Sequence, residues 1–353
     1  MARHVPEALI PKQRDRASGF TLAELLVSVF VLGIVILLVT QLMTNATAIT
    51  RIGHKHIDTD TQARAVFDRM ALDFAQMVKR TDVDYYIKQP DIAYRGHGNG
   101  HGWGRGRNGD TGSDQIAFFS EVPGYYASSW GSPISLVAYR VNEDNTSTNP
   151  AYVRLERMAK GLFWNGAYNT GNNIPLFFLP LTIDTMWPPA THNFGGGNPN
   201  LSRDTDNYET IGPGVFRFEY YYLLKNGRVT DWPWDRWDSQ FANQQTITNP
   251  VQIGLTQVEA IAVALAVIDP AGRALIDAVS RDRILDLAGD MADFKSARGR
   301  GVGAQKIGEL EAQWKGVVES VAQTGLTPSG QPVPPEAAKT IRIYNRYFNL
   351  KTL

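Results

Sequence analysis

The chain contains no cysteine, so an exported domain of this sequence has no disulfide to rely on and is stabilised by packing. It has no excess of charge: 35 Lys and Arg stand against 35 Asp and Glu. Nothing in that balance points to the basic footprint of a nucleic-acid binder. No proline occurs between Lys12 and Gln89, which lets a single helix run through the whole stretch. Between Leu22 and Val39 the only charge is Glu24.

What is present there is an apolar run of Leu, Val, Ile, Ala and Phe, relieved by Ser28 and Gly33. At about 1.5 Å per residue it matches the roughly 30 Å hydrocarbon core of a bilayer. A carboxylate inside such a segment is costly and normally has a partner or a task. Ahead of the run lie Arg3, Lys12, Arg14 and Arg16 against Glu7 and Asp15. This positive bias predicts a cytoplasmic N-terminus, with the bulk of the chain on the other side of the membrane. A secretory signal peptide has a shorter apolar core than this run, with a small-residue cleavage site after it.

Gly19-Phe20-Thr21-Leu22 with Glu24 two residues on resembles the type IV prepilin and pseudopilin family. The resemblance implies a prepilin peptidase that cuts after Gly19 and N-methylates the new first residue, Phe20. It also implies that Glu24 pairs with the N-terminal amine of a neighbouring subunit during assembly. The physics is compatible with that role, because a carboxylate near a helix N-terminus meets the positive end of the macrodipole and an ammonium can neutralise it away from water. The lack of cysteine separates the chain from major pilins that close a C-terminal loop with a disulfide.

The sequence divides into a leader over 1–19, a transmembrane and amphipathic spindle helix over 20–80, and an exported domain over 81–353. In the back half of the helix, Ala63, Val66, Phe67, Met70, Phe74, Met77 and Val78 recur at three- and four-residue spacing, the stripe that packs on a core. Arg64, Asp68, Arg69, Asp73 and Lys79 are expected on the opposite face. Residues 95–114 are too glycine-rich for helix or strand. Strand character follows at 115–120, 134–141, 152–158, 215–224 and 258–268, separated by turn-rich stretches that include 188–214. Helical spacing returns over 270–294 and 304–322, and residues 337–350 read as a final strand or a short helix. The fold class expected is therefore α+β: a long N-terminal helix on an antiparallel pilin-like sheet, with a C-terminal helical insertion over 270–335.

Chemistry is sparse. His97 and His101 are four apart but lie among glycines, and no cysteine or carboxylate pair completes a zinc set; no cofactor is expected. Asp231-Trp232-Pro233-Trp234-Asp235-Arg236-Trp237-Asp238 is the most distinctive motif of the exported domain. Trp232, Trp234 and Trp237 read either as indoles covering a hairpin end or as a partner surface, since exposed aromatics dominate interface energy. The aspartates with Asp204 and Asp206 form no standard calcium loop. No catalytic triad, paired acid frame or phosphate loop is present, so the chain reads as a substrate for processing rather than an enzyme.

The later segments are similar to J-type minor pseudopilins of type II secretion, and the inserted helices to the Verru/Chthon cassette protein C family. The resemblance implies a minor subunit of a type II secretion or type IV pilus-like filament, held in the inner membrane with a periplasmic domain. Its partners would be prepilin peptidase and other minor and major pseudopilins. Because Glu24 is present, the subunit is expected near the tip but beneath another subunit. The alternative is a membrane-anchored, exported glycan- or protein-binding module.

Overall fold

A computed structural model describes residues 21–79, 113–124, 134–142, 149–163, 176–177, 208–230, 235, 255, 257–294 and 306–350. Helix α1 runs from Leu22 to Ala75, in keeping with the absence of proline. The chain forms two units, 1–54 and 55–353. In the first, Leu22–Thr44 is 23 residues long and apolar enough to cross a membrane. Every residue of that segment is exposed. Its hydroxyls turn inward on their own helix: Ser28 donates to Glu24 O (2.7 Å), Thr40 to Ile36 O (2.8 Å) and Thr44 to Thr40 O (2.9 Å). Such back-bonding removes the cost of carrying them into hydrocarbon.

In the second unit the rest of α1 lies on two sheets. Ala63, Val66, Phe67, Met70, Phe74 and Met77 are all buried, as their spacing predicts, each larger side chain contributing about 1.5–3 kcal/mol over exposure. The expectation for the opposite face holds for Arg64 and Asp68, which are exposed. It fails for Asp73, which is fully buried. Met70 and Asp73 are three apart and Val66 and Asp73 seven apart, so the position belongs to the buried stripe. Its charge is met by a partner distant in sequence.

The first sheet contains β1 (Gln115–Ser120), β2 (Ser135–Val141), β3 (Leu155–Phe163), β4 (Leu176–Phe177) and β5 (Glu209–Gly212). Strands β1, β2 and β3 are antiparallel neighbours; β5 adds to β3 antiparallel and β4 adds parallel. Strand β5 lies in a stretch whose composition reads only as turn. The second sheet has the order β7-β6-β8-β9, all antiparallel, from β6 (Val215–Leu224), β7 (Val229–Thr230), β8 (Val258–Val267) and β9 (Arg342–Asn349). Residues 113–114 tie the sheets together: Asp114 N donates to Phe218 O (2.8 Å) and Tyr220 N to Asp114 Oδ2 (3.0 Å).

Strand β8 explains the layering. Ile261, Val263, Leu265 and Val267 alternate with Ala260, Ala262, Ala264 and Ala266, and all eight are buried. Register places Ile261 beside Phe348 and Leu265 beside Tyr344. Phe348 meets Phe67 and Phe74 of α1, with ring centroids 6.2 and 5.1 Å apart. The large side chains of β8 therefore share the α1 face. The alanine row lies on the other face, beside Tyr221 and Tyr347, where small side chains let a second layer approach.

That second layer is the helical insertion, α2 (Pro270–Val279), α3 (Arg283–Asp290), α4 (Glu309–Thr324) and α5 (Pro335–Ala338), all between β8 and β9. Residues 337–350 thus hold the end of a helix and then a strand. Asp269 caps α2 by accepting from Gly272 N (2.6 Å), with Pro270 in the first turn. Gly325 ends α4 at φ 71°, its N–H donating to Val321 O, the left-handed cap that glycine adopts without strain. Arg273 of α2 grips the turn before β3, donating to Val153 O (3.0 Å) and Tyr152 O (3.1 Å). Val153 itself is held at φ 49°, a strained conformation for a β-branched residue.

Candidate functional site

Thr21 and Glu24 are the residues of the N-terminal motif whose side-chain bonds are described. Glu24 Oε2 accepts from Thr21 N and from Thr21 Oγ1, both at 2.9 Å, while Glu24 N donates to Thr21 Oγ1 at 3.3 Å. This is a reciprocal capping box, Thr-x-x-Glu, that satisfies two backbone donors at the start of the helix. The pattern is readable in the sequence and is a second task for Glu24 beside the intersubunit pairing expected of it. Leu25 N to Thr21 O, at 3.2 Å, is the first full helical turn.

The arrangement has a chemical consequence. Both donors use Oε2, and Oε1 meets no donor among the described residues. A capped carboxylate with one oxygen open can accept from a further cation without giving up its own helix start. Gly19 and Phe20, the expected cleavage and methylation positions, lie outside the described residues. So do Trp232, Trp234 and Trp237, His97 and His101, and Asp204 and Asp206.

One member of the tryptophan-rich motif is described. Asp235 is buried and accepts from Arg228 Nη1 (2.7 and 3.0 Å) and Asn226 Nδ2 (3.1 Å); its own N–H donates to Gln257 Oε1 (3.2 Å). This aspartate is therefore engaged with the β6–β7 hairpin. Among the described residues no group of three or more His, Cys, Asp or Glu is placed to hold a metal ion.

Among the described residues, buried charges meet at sites that no local sequence pattern marks. Asp73 meets Arg157 and Tyr139 at the end of α1. Arg217, Glu219 and Asp293 meet between the second sheet and the insertion. Arg217 and Glu219 alternate with Phe216, Phe218 and Tyr220 along β6, a pattern that reads as a solvated face. The insertion covers that face.

No curated protein and no solved structure matches the chain. Residues 14–40 match the family model of the prokaryotic N-terminal methylation motif, so the chain carries a prepilin-like N-terminal segment, and Gly19, Phe20 and Glu24 all fall within it.

Proposed function

We propose that this chain is a minor pseudopilin-like subunit, and that its role is structural rather than catalytic. Prepilin peptidase removes residues 1–19 after Gly19 and methylates the amine of Phe20. The mature chain, an anchor segment over 20–80 that contains α1 and an exported domain over 81–353 with its insertion at 270–335, waits in the inner membrane as a single-pass protein with the domain in the periplasm. It then joins other minor and major pseudopilins in a type II secretion or type IV pilus-like filament, near the tip. The J-type and Verru/Chthon cassette protein C likenesses support a minor rather than a major subunit.

The observation that carries this reading is Glu24: the one charge between Leu22 and Val39, inside the matched motif, capped through one oxygen and with no donor to the other among the described residues. An unmatched carboxylate at that depth is supported by a cation from outside the subunit, and the methylated amine of a neighbouring Phe20 supplies one. The test is co-purification from membranes with the prepilin-like proteins of the same cell. The wild-type chain is expected to bring them down, and Glu24→Val to lose them while remaining in the membrane. Undiminished co-purification by Glu24→Val contradicts the proposal.

A further inference from the structure

Strand β9 is the outer strand of the second sheet and pairs with β8 alone, in an unbroken register from Val267 opposite Arg342 to Ala260 opposite Asn349. Leu350 N donates to Glu259 O (2.9 Å), one step beyond the last pair. Bonded and non-bonded pairs alternate along an antiparallel ladder, so Arg342, Tyr344, Arg346 and Phe348 turn their N–H and C=O towards β8. Ile343, Asn345, Tyr347 and Asn349 turn theirs away from it. Among the described residues these outward groups meet no partner.

Among the described residues the other sheet edges are short or covered. Strand β1 is bordered by the chain leaving α1, with Val78 N donating to Phe119 O and Glu121 N to Gln76 O. Strands β4 and β7 have two residues each and β5 has four. Strand β9 has eight residues, with no proline, glycine or lysine and no bulge, so neither length nor shape blunts it. Its arginines are drawn off the edge, Arg346 onto Asp68 of α1 (2.6 Å) and Arg342 onto the carbonyls of Lys339 (3.4 Å) and Ile341 (3.1 Å). What the edge lacks is main-chain partners rather than a counter-charge.

A row of outward main-chain groups at every second residue is matched by an extended strand. A second copy of this chain does not supply one. Asp60 meets Tyr344, Asp68 meets Arg346 and Phe74 meets Phe348, so β9 runs in the direction of α1. Two β9 strands paired antiparallel about a two-fold axis would set their α1 helices antiparallel as well. The ends from which the chains continue to Leu22–Thr44 would then point opposite ways, which two subunits held in one membrane do not allow. A parallel pair about a two-fold along the strands brings opposite faces side by side, against the pleat. Among the described residues no other open edge of a second copy is long enough to match β9.

We propose that β9 is a docking edge, to which a strand from the exported domain of a different prepilin-like subunit adds through Ile343, Asn345, Tyr347 and Asn349. The inference rests on the pseudopilin-like reading and gives it a contact in the exported domain beside the anchor helix. Affinity comes from the main chain. Alternate side chains of the incoming strand meet Tyr344 and Arg346 on the α1 side and Asn345 and Tyr347 on the side of the insertion.

The test is hydrogen exchange of the full chain in detergent micelles, alone and in the complex that co-purifies with it from membranes. Alone, the amides of Ile343, Asn345, Tyr347 and Asn349 are expected to exchange about tenfold or more faster than those of Tyr344, Arg346 and Phe348; in the complex the two sets are expected to be equally slow. Asn349→Pro removes one outward N–H and spares the ladder to β8. It is expected to lower recovery of the prepilin-like partners about fivefold, whereas Asn349→Ala, which keeps the N–H, leaves recovery unchanged. Outward amides that are slow in the chain alone, slow on concentrating it without partners, or still fast in the complex overturn the proposal. Undiminished recovery by Asn349→Pro where Glu24→Val loses the partners overturns the docking edge and leaves the subunit reading in place; a wild-type chain that recovers no prepilin-like protein overturns both.

Discussion

Arg157 closes its fork on Asp73, with Nε 2.6 Å from Oδ2 and Nη2 2.9 Å from Oδ1, and neither side chain reaches solvent. Tyr139 donates to the same carboxylate from β2, and Ser120 of β1 donates to the Asp73 carbonyl (2.9 Å). The last turn of α1 is thereby fixed to three strands at one point. The chain leaving the helix then borders β1, with Val78 N donating to Phe119 O and Glu121 N to Gln76 O, each at 2.9 Å.

Breaking that pair leaves a buried charge without its partner. Asp73→Ala is expected to cost about 3–5 kcal/mol, read as a large fall in thermal midpoint of the full chain in detergent. Asp73→Leu combined with Arg157→Met and Tyr139→Phe is expected to recover most of the loss, since the remaining site is then apolar. Equal losses in the single and combined variants contradict the ion-pair account.

The capping box predicts a split between two conservative changes at Thr21. Thr21→Ser keeps the hydroxyl and is expected to leave amide exchange in the first turn of α1 at the wild-type rate. Thr21→Val removes it, along with one donor to Glu24 and the acceptor of Glu24 N, and is expected to speed exchange at residues 24 and 25 in micelles. Identical exchange in the two variants rules the box out.

Alkaline pH tests the contact between α1 and β9. Burial and its bond to Asp60 push the Tyr344 hydroxyl up to about 12 from an ordinary 10.0. A raised value means that the protonated form is the one the fold favours. Its stabilisation is full below pH 10 and is lost as pH rises through about 12. Burial moves Tyr139 in the same direction. Tyrosinate absorbance is expected to show a late-ionising group that Tyr344→Phe removes; an unchanged titration in that variant contradicts the contact.

Val153 offers a test by inverted order. It is fully buried at φ 49°, so truncation forfeits packing, but glycine alone also relieves the backbone, by about 1–2 kcal/mol. Val153→Gly is expected to be less destabilising than Val153→Ala in thermal unfolding, the reverse of the order at a buried strand position with ordinary dihedrals, such as Val137. A larger loss for the glycine variant refutes the strain argument.

The parts of this fold that were legible in the sequence are those whose signal is local. The stripe from Ala63 to Met77 names its buried face, and the apolar run at 258–268 its strand, without outside information. Asp73 and Arg217 were not legible, because each looks like a surface charge until a partner from far along the chain, Arg157 or Asp293, is brought to it. The short strands β4, β5 and β7 carry too few residues for a periodicity to appear. At the N-terminus the reverse holds: the motif around Glu24 was plain in the sequence, and the structure adds the reciprocal bonds with Thr21.

The central claim, that this chain is a processed prepilin-like subunit, is tested most directly by the intact mass of the protein extracted from membranes. The account predicts a chain that begins at Phe20 and carries one added methyl group. A chain that retains residues 1–19 in a strain with active prepilin peptidase contradicts it.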